Sequence, residues 1–311
     1  MALPARLGGV IPPICTPLTP DGEVDVDSLR DLADFLAEAG VDGLFVLGST
    51  SEAAYLTDRQ RRTVVETVAA HLDGALPVLA GAIDMTTPRA LDHARAALAS
   101  GADGIVATAP FYARTHPAEI ERHFRLLAER SGAPLFAYNL PTSVHVALDA
   151  ELVLALAADG VLSGLKDSSA DQTNLREVIL AARSDPGIRD FTVLTGSETS
   201  VDTALLMGAD GVVPGLGNVD PHGYVRLVGL CAAGDWQRAR AEQERLLALF
   251  SMVGVGSPAR MGRGSSSIGA FKAALRLRGV VRHATTAEPQ IPLSEDEVAR
   301  VAKHLAAAGL L

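Results

Sequence analysis

Among 27 basic residues only three are lysines, Lys166, Lys272 and Lys303. Arginine fills nearly every ordinary cationic position, so each lysine marks a place where a permanently charged guanidinium could be unsuitable. Lys166 follows Val161, Leu162 and Leu165 at the end of a short apolar run. Desolvation disfavours an ammonium, and a free amine there can attack a ketone and form an imine. The alternative is a structural lysine paired with the adjacent Asp167. Lys272 and Lys303 fall on expected C-terminal helices with nothing beside them to suggest chemistry. Tyr138 ends another apolar run, where a phenol either relays protons to a carbinolamine or plugs a core. Gly48-Ser49-Thr50-Ser51-Glu52 places small hydroxyls and free amides at an expected helix start. That pattern suits a carboxylate-sized anion site or an ordinary N-cap. Tyr112 stands at the end of a further run. Gly196-Ser197-Glu198 and Gly215-Leu216-Gly217-Asn218 offer glycines for close ligand approach or for tight turns.

The elements that would position these residues echo one another. AGVDGLFVLG from Ala39, SGADGIVATAP from Ser100 and MGADGVVPG from Met207 share one grammar, and AADGVLSGLK from Ala157 is a weaker copy. In each, a helix ends on glycine, a short turn follows, and an apolar run suits a strand buried on both faces. Strands are expected from Gly8, Asp42, Leu76, Asp103, Ala133, Val161, Phe191 and Asp210, with helices between them. In the first helix Leu29, Leu32, Ala33 and Leu36 share a face. Thr57 with Gln60 and Ser294 with Glu297 have capping-box spacing. Thr87-Pro88 and His116-Pro117 look like helix starts. Eight βα units with short connections predict a closed (β/α)8 TIM barrel over residues 1–233, with functional groups at the C-terminal strand ends. Residues 234–311 read as a C-terminal helical extension packed on the barrel. Its helices are expected from Asp235 to Phe250, Ser266 to Leu277 and Ser294 to Ala308, with a Gly/Ser-rich connection over 257–267.

The net charge of −10 and scattered basic residues argue against a nucleic-acid partner, and no polybasic run suggests a membrane surface. No apolar stretch reaches the ~20 residues of a membrane span, and the start lacks a signal-peptide core. Two cysteines, Cys15 and Cys231, argue against a disulfide framework. A cytoplasmic protein is expected.

The motifs GSTSE, APFYAR, YNLP, GLKDSS, LTGSE and GADGVVPGLGN, in this order, resemble the dihydrodipicolinate synthase/N-acetylneuraminate lyase family of class I pyruvate-dependent aldolases. The resemblance runs from about Gly8 to the C-terminus. It implies a Schiff base between Lys166 and pyruvate or another 2-keto acid, with no cofactor and no metal. Tyr138 would shuttle protons, and Ser49 and Thr50 would hold the carboxylate. Thr50 would link Tyr138 to Tyr112, which would arrive from a neighbouring subunit of a homotetramer, a dimer of dimers. Gly196 and Val213 would line the pyruvate pocket. Where the synthases carry an arginine after YNxP, this chain has Ser143, which argues against aspartate semialdehyde as second substrate. Ser51 replaces a family glycine, at a steric cost if that position has a positive φ. KDSS after the lysine resembles members acting on sugar acids, so Ser143, Ser168 and Glu198 would bind polyol hydroxyls. The expected reaction is cleavage or formation of a 2-keto-3-deoxy sugar acid. Dihydrodipicolinate synthase, N-acetylneuraminate lyase and imine-dependent dehydratase activities are the alternatives within the family. A metal-dependent aldolase would need His and carboxylate ligands at strand ends, and no HxH or HExxH pair occurs. A non-catalytic 2-keto acid sensor would have no use for Lys166, Tyr138 and Thr50 together.

Overall fold

The computed structural model describes Leu3, Pro4 and residues 6–311. Eight parallel strands alternate with helices: β1 (Gly9–Val10), α1 (Val26–Glu38), β2 (Leu44–Val46), α2 (Asp58–Leu72), β3 (Val78–Gly81), α3 (Thr87–Ala99), β4 (Gly104–Thr108) and α4 (Pro117–Ser131). They continue as β5 (Leu135–Asn139), α5 (Pro141–Val144), α6 (Ala150–Ala158), β6 (Gly164–Asp167), α7 (Gln172–Ser184), β7 (Thr192–Thr195), α8 (Val201–Met207), β8 (Gly211–Val212) and α9 (Pro221–Ala232). Three helices follow, α10 (Trp236–Phe250), α11 (Arg263–Leu277) and α12 (Glu295–Ala307).

From β2 to β8 each strand pairs with the next in sequence, and β8 pairs with β1. Between β1 and β2 the ring closes through residues just past β1. Phe45 N–H donates to Pro12 O at 3.0 Å, and Ile14 N–H donates to Phe45 O at 3.0 Å. Pro12 and Pro13 have no amide hydrogen, which limits this contact to a single bridge. The fold is therefore a (β/α)8 barrel.

Alternation of side chains fills both faces of the sheet. Ile11, Phe45, Leu79, Val106, Phe136, Tyr138, Leu194 and Val213 point inward as one cluster. Their chain neighbours, among them Val10, Val46, Ala80, Ile105, Ala137, Leu165, Val193 and Val212, pack outward against the helices. Helix α1 buries Leu29, Leu32, Ala33 and Leu36, as its spacing requires. Capping boxes start α2 at Thr57 and α12 at Ser294, and Pro117 opens α4.

The echoed Asp-Gly turns form a repeated clasp at the N-terminal rim. Asp42, Asp103 and Asp210 each donate their amide to the carbonyl of a single valine on the preceding strand, Val10, Val78 and Val193, at 2.8 Å. Each carboxylate then accepts the same valine's N–H, at 2.8, 2.9 and 2.7 Å respectively. In the fourth copy the register puts Ser163, not Asp159, at the clasp position; it donates its amide to Leu135 O at 2.8 Å, but no side chain among the described residues returns the bond. Gly9 completes the first clasp at φ 78°, where a Cβ would lie 1.9 Å from Asp42 Oδ2.

Two boundaries differ from the sequence reading. Helix α11 begins at Arg263, not Ser266, absorbing part of the Gly/Ser-rich connection. Ser266 is buried there, donating to Val253 O at 2.7 Å and accepting from Gly256 N at 2.8 Å, so tertiary bonds override weak helix propensity. The turn Gly48–Glu52 does not open a helix; α2 starts only after Thr57. No helix of the described residues is long and apolar enough to cross a membrane.

Candidate active site

Strand register brings the site together at the C-terminal end of the barrel. Tyr138 on β5 pairs with Lys166 on β6, which pairs with Leu194 on β7. Tyr138 and Lys166 therefore share the inner face, at 4% and 5% exposure. Lys166 Nζ lies 4.0 Å from the centroid of the Tyr138 ring and 4.6 Å from that of Phe45. The two rings meet edge to face at 6.4 Å. Lys166 has no carboxylate partner among the described residues. Asp167 points to the other side of the strand, accepting from Asn139 Nδ2 at 2.9 Å and from the Ser169 hydroxyl at 3.0 Å. Burial raises the Asp167 carboxyl above its usual range, with these hydrogen bonds opposing the shift.

Gly196, just past β7, presses on Lys166. Its amide donates to Asp167 O at 2.6 Å. A Cβ there would meet Ser168 Oγ at 2.0 Å and Lys166 Cε at 3.3 Å. Ser168 is half-buried beside it, with its amide donating to Asn139 O at 2.9 Å. Val213 is buried in the inward cluster with Tyr138. Glu198 is half-buried, and its Oε1 accepts from Leu216 N at 2.5 Å. Burial pushes its carboxyl up to about 7, opposed by that hydrogen bond and by the Lys166 charge.

The turn after β2 is built by Ser51 N–H to Gly48 O and Glu52 N–H to Ser49 O, both 3.1 Å. Ser49 is exposed and Thr50 half-buried, and the amides of both are left without a protein acceptor among the described residues. Ser51 carries none of the conformational cost its glycine replacement suggested. Positive φ falls instead on Leu47 (58°) and Glu52 (60°). Ser51 is fully buried, donates its hydroxyl to Ile14 O at 2.5 Å and accepts at its carbonyl from the Thr16 hydroxyl at 2.9 Å.

Not every sequence-selected residue joins this cluster. Tyr112 is 91% exposed at φ 77° and makes no hydrogen bond or ring contact among the described residues. Thr50 is hydrogen-bonded to neither tyrosine. Ser143 lies exposed on α5.

Three residues matter more than their sequence setting suggested. Asn139 holds the loop after α5, accepting from Leu148 N at 3.0 Å and donating to Asp167. Asn218 accepts from Cys15 N at 2.8 Å and donates to Pro13 O and Gly215 O at 2.9 Å, tying the exits of β1 and β8 together. Lys272 is 1% exposed and ion-paired with the equally buried Glu52. The YNLP and GLGN motifs contained the two asparagines, and the scarcity of lysine was the one signal for Lys272. Among the described residues no group of three or more His, Cys, Asp or Glu side chains is placed to hold a metal ion.

The dihydrodipicolinate synthetase family matches residues 6–308. A 4-hydroxy-tetrahydrodipicolinate synthase of Methanothermobacter thermautotrophicus is 31% identical over 80% of this chain and 87% of its own length. A DapA-like lyase of Halobacterium salinarum is 33% identical over 99% and 96%. Among solved structures, the family member YagE of E. coli, in complex with pyruvate, superposes with a TM-score of 0.89 at 30% identity, covering 98% of this chain and 99% of that one. Dihydrodipicolinate synthase of Bacteroides thetaiotaomicron gives 0.90 at 31% identity, covering 99% and 100%. Likeness of this extent, in sequence as in backbone, settles the kinship: the chain belongs to the dihydrodipicolinate synthetase family and is an enzyme of its Schiff-base aldolase and lyase type.

Proposed function

We propose that Lys166 forms the imine with a 2-keto acid and that the physiological reaction is reversible cleavage of a 2-keto-3-deoxy sugar acid to pyruvate and an aldehyde. One observation carries this reading. Lys166 is buried at the inner mouth of the barrel against Tyr138, with no carboxylate to fix it in a structural ion pair. Its amine attacks the keto carbon, and loss of water gives the imine. The C3–C4 bond then breaks, releasing the aldehyde and leaving an enamine. Protonation at C3 and hydrolysis release pyruvate and restore the amine. Tyr138 transfers the protons these steps need.

The free Ser49 and Thr50 amides and hydroxyls suit the carboxylate, while Gly196 and Val213 shape the space beside the methyl carbon. Ser168 and Glu198 flank the lysine where a polyol chain would extend, with Ser143 at the rim. The pyruvate bound by YagE supports the first substrate. Several relatives are named 4-hydroxy-tetrahydrodipicolinate synthase, which makes that synthesis the second reading. The neutral Ser143, in place of an arginine for a second carboxylate, favours the sugar acid. We further propose a homotetramer in which Tyr112 of one copy completes the site of another. The barrel, 1–233, and the helical extension, 234–311, would act as one cytoplasmic catalytic unit.

The test is incubation with pyruvate and borohydride, followed by peptide mass spectrometry. A reduced pyruvyl adduct on Lys166, absent from Lys166→Ala, is expected. Tyr138→Phe should lower turnover about 10²–10⁴-fold. A folded protein with no adduct on Lys166 would sink the reading, and adduct without turnover on any sugar acid or aldehyde would leave a sensor.

A further inference from the structure

The second buried lysine has a different environment. Lys272 on α11 pairs with Glu52 Oε2 and donates to Thr285 O at 2.7 Å. Glu52 Oε1 accepts from Ala287 N and from Gln290 Nε2, each at 2.7 Å. Three separate stretches of chain thus meet at one carboxylate: the turn after β2, α11, and the segment 285–290. Burying two charges carries a desolvation cost that a pair of apolar side chains would avoid, so the pair is poorly explained by stability alone.

Its location supplies another explanation. Glu52 is the last residue of the Gly48–Glu52 turn, and its own amide closes that turn onto Ser49 O. Its backbone sits at φ 60°, a conformation most residues avoid unless their surroundings impose it. The side chain being gripped therefore belongs to the residue whose backbone shapes the turn. The same helix also lies close to the middle of the turn. A Cβ on Gly215 would lie 3.0 Å from the ring of Phe271 and 3.3 Å from Thr50 Oγ1, so Phe271 and Thr50 flank that glycine. Through adjacent residues, α11 grips the end of the turn and stands across Gly215 from its middle.

We propose that Lys272 and Glu52 are positioning residues, through which the C-terminal extension holds the Ser49–Thr50 amides and hydroxyls in register with a substrate carboxylate. This rests on the assignment of that turn to the carboxylate of the 2-keto acid. The pair touches no reacting atom; it fixes a turn that does. Its loss should weaken recognition of the carboxylate while leaving the Lys166 amine able to form imines.

The experiment compares borohydride trapping of two ketones, pyruvate and the carboxylate-free hydroxyacetone, on Lys166. It uses the full-length wild type, Lys272→Met and Glu52→Gln, with circular dichroism to identify folded variants. Glu52→Gln keeps size and hydrogen-bonding capacity, so it serves if the lysine variant does not fold. The pyruvate concentration for half-maximal trapping should rise at least tenfold in the variant, with the hydroxyacetone value changed less than twofold. Lys272→Arg, which restores the charge, should recover part of the pyruvate preference. Equal weakening toward both ketones would overturn the proposal by revealing general damage to the pocket. Unchanged half-saturation for pyruvate in a folded variant would overturn it as well. If the wild type gives no pyruvate adduct, the imine assignment itself fails and the positioning role falls with it. A wild-type adduct with indifferent variants removes the positioning role alone.

Discussion

Lys166 and Lys272 show how one side chain meets opposite surroundings at similar burial. The first faces aromatic rings; the second faces Glu52. Position at a strand end singled out Lys166 from sequence, because register and alternation are local properties. The partner of Lys272 was not legible, since the ion pair joins distant parts of the chain. At the same scale, Gly196→Ala should abolish pyruvate trapping, because its methyl group enters space held by Ser168 Oγ and crowds Lys166 Cε. A folded variant with normal trapping would refute that reading of the pocket. Glu198 gives a pH prediction with a definite sign. Its folded pKa is raised from 4.5 to about 7, so the fold binds this proton more tightly than the unfolded chain does. The resulting stability is fully present below about pH 4.5 and is lost as pH rises through about 7. Thermal unfolding between pH 5 and 8 should therefore show a decline in the wild type that Glu198→Gln reduces, and equal pH profiles would count against it.

The elements were legible wherever local chemistry defines them. Thr57 and Ser294 cap their helices as their spacing requires, whereas the Gly48–Glu52 segment ahead of Thr57 suits a turn or a helix start equally, because small polar residues serve both. The Asp-Gly echo was visible as punctuation, but its reciprocal clasp was not, since the partner valine lies on another strand. The missing fourth clasp makes a test by gain as well as by loss. Ser163 stands to Leu135 as Asp103 stands to Val78: Phe136 pairs with Gly164 just as Leu79 pairs with Gly104. Ser163→Asp should add the absent bond and raise unfolding free energy by about 0.5–1.5 kcal/mol. Asp103→Ala should lower it by about 1–3 kcal/mol, by leaving the Val78 amide without its carboxylate. Urea denaturation of both variants checks the pair, and a destabilised Ser163→Asp would mean the clasp depends on more than register.

At the scale of the molecule, eight βα units could be counted in sequence, but closure could not. It depends on how the proline-limited exit of β1 meets β2 and on Asn218 linking β1 to β8. Nor could one chain's sequence show whether Tyr112 enters its own site. Its exposure supports service to a second copy, so specific activity should fall on dilution as sedimentation shows the assembly dissociating. Tyr112→Phe should lower turnover without altering the sedimentation profile; activity indifferent to both dilution and this substitution would remove Tyr112 from the site.

The link between Glu52 and the 285–290 segment also bears on the order in which the protein is made. Ala287 lies 235 residues beyond the carboxylate it holds. Synthesis proceeds from the amino end, and folding begins before it finishes. The turn after β2 therefore leaves the ribosome with its acid uncompensated and remains so through translation of the entire barrel. Only when α11 and the segment behind it have emerged can that charge be matched. If the turn holds a substrate carboxylate as proposed, a nascent barrel with all eight strands in place would bind that carboxylate weakly until the last part of the chain arrives.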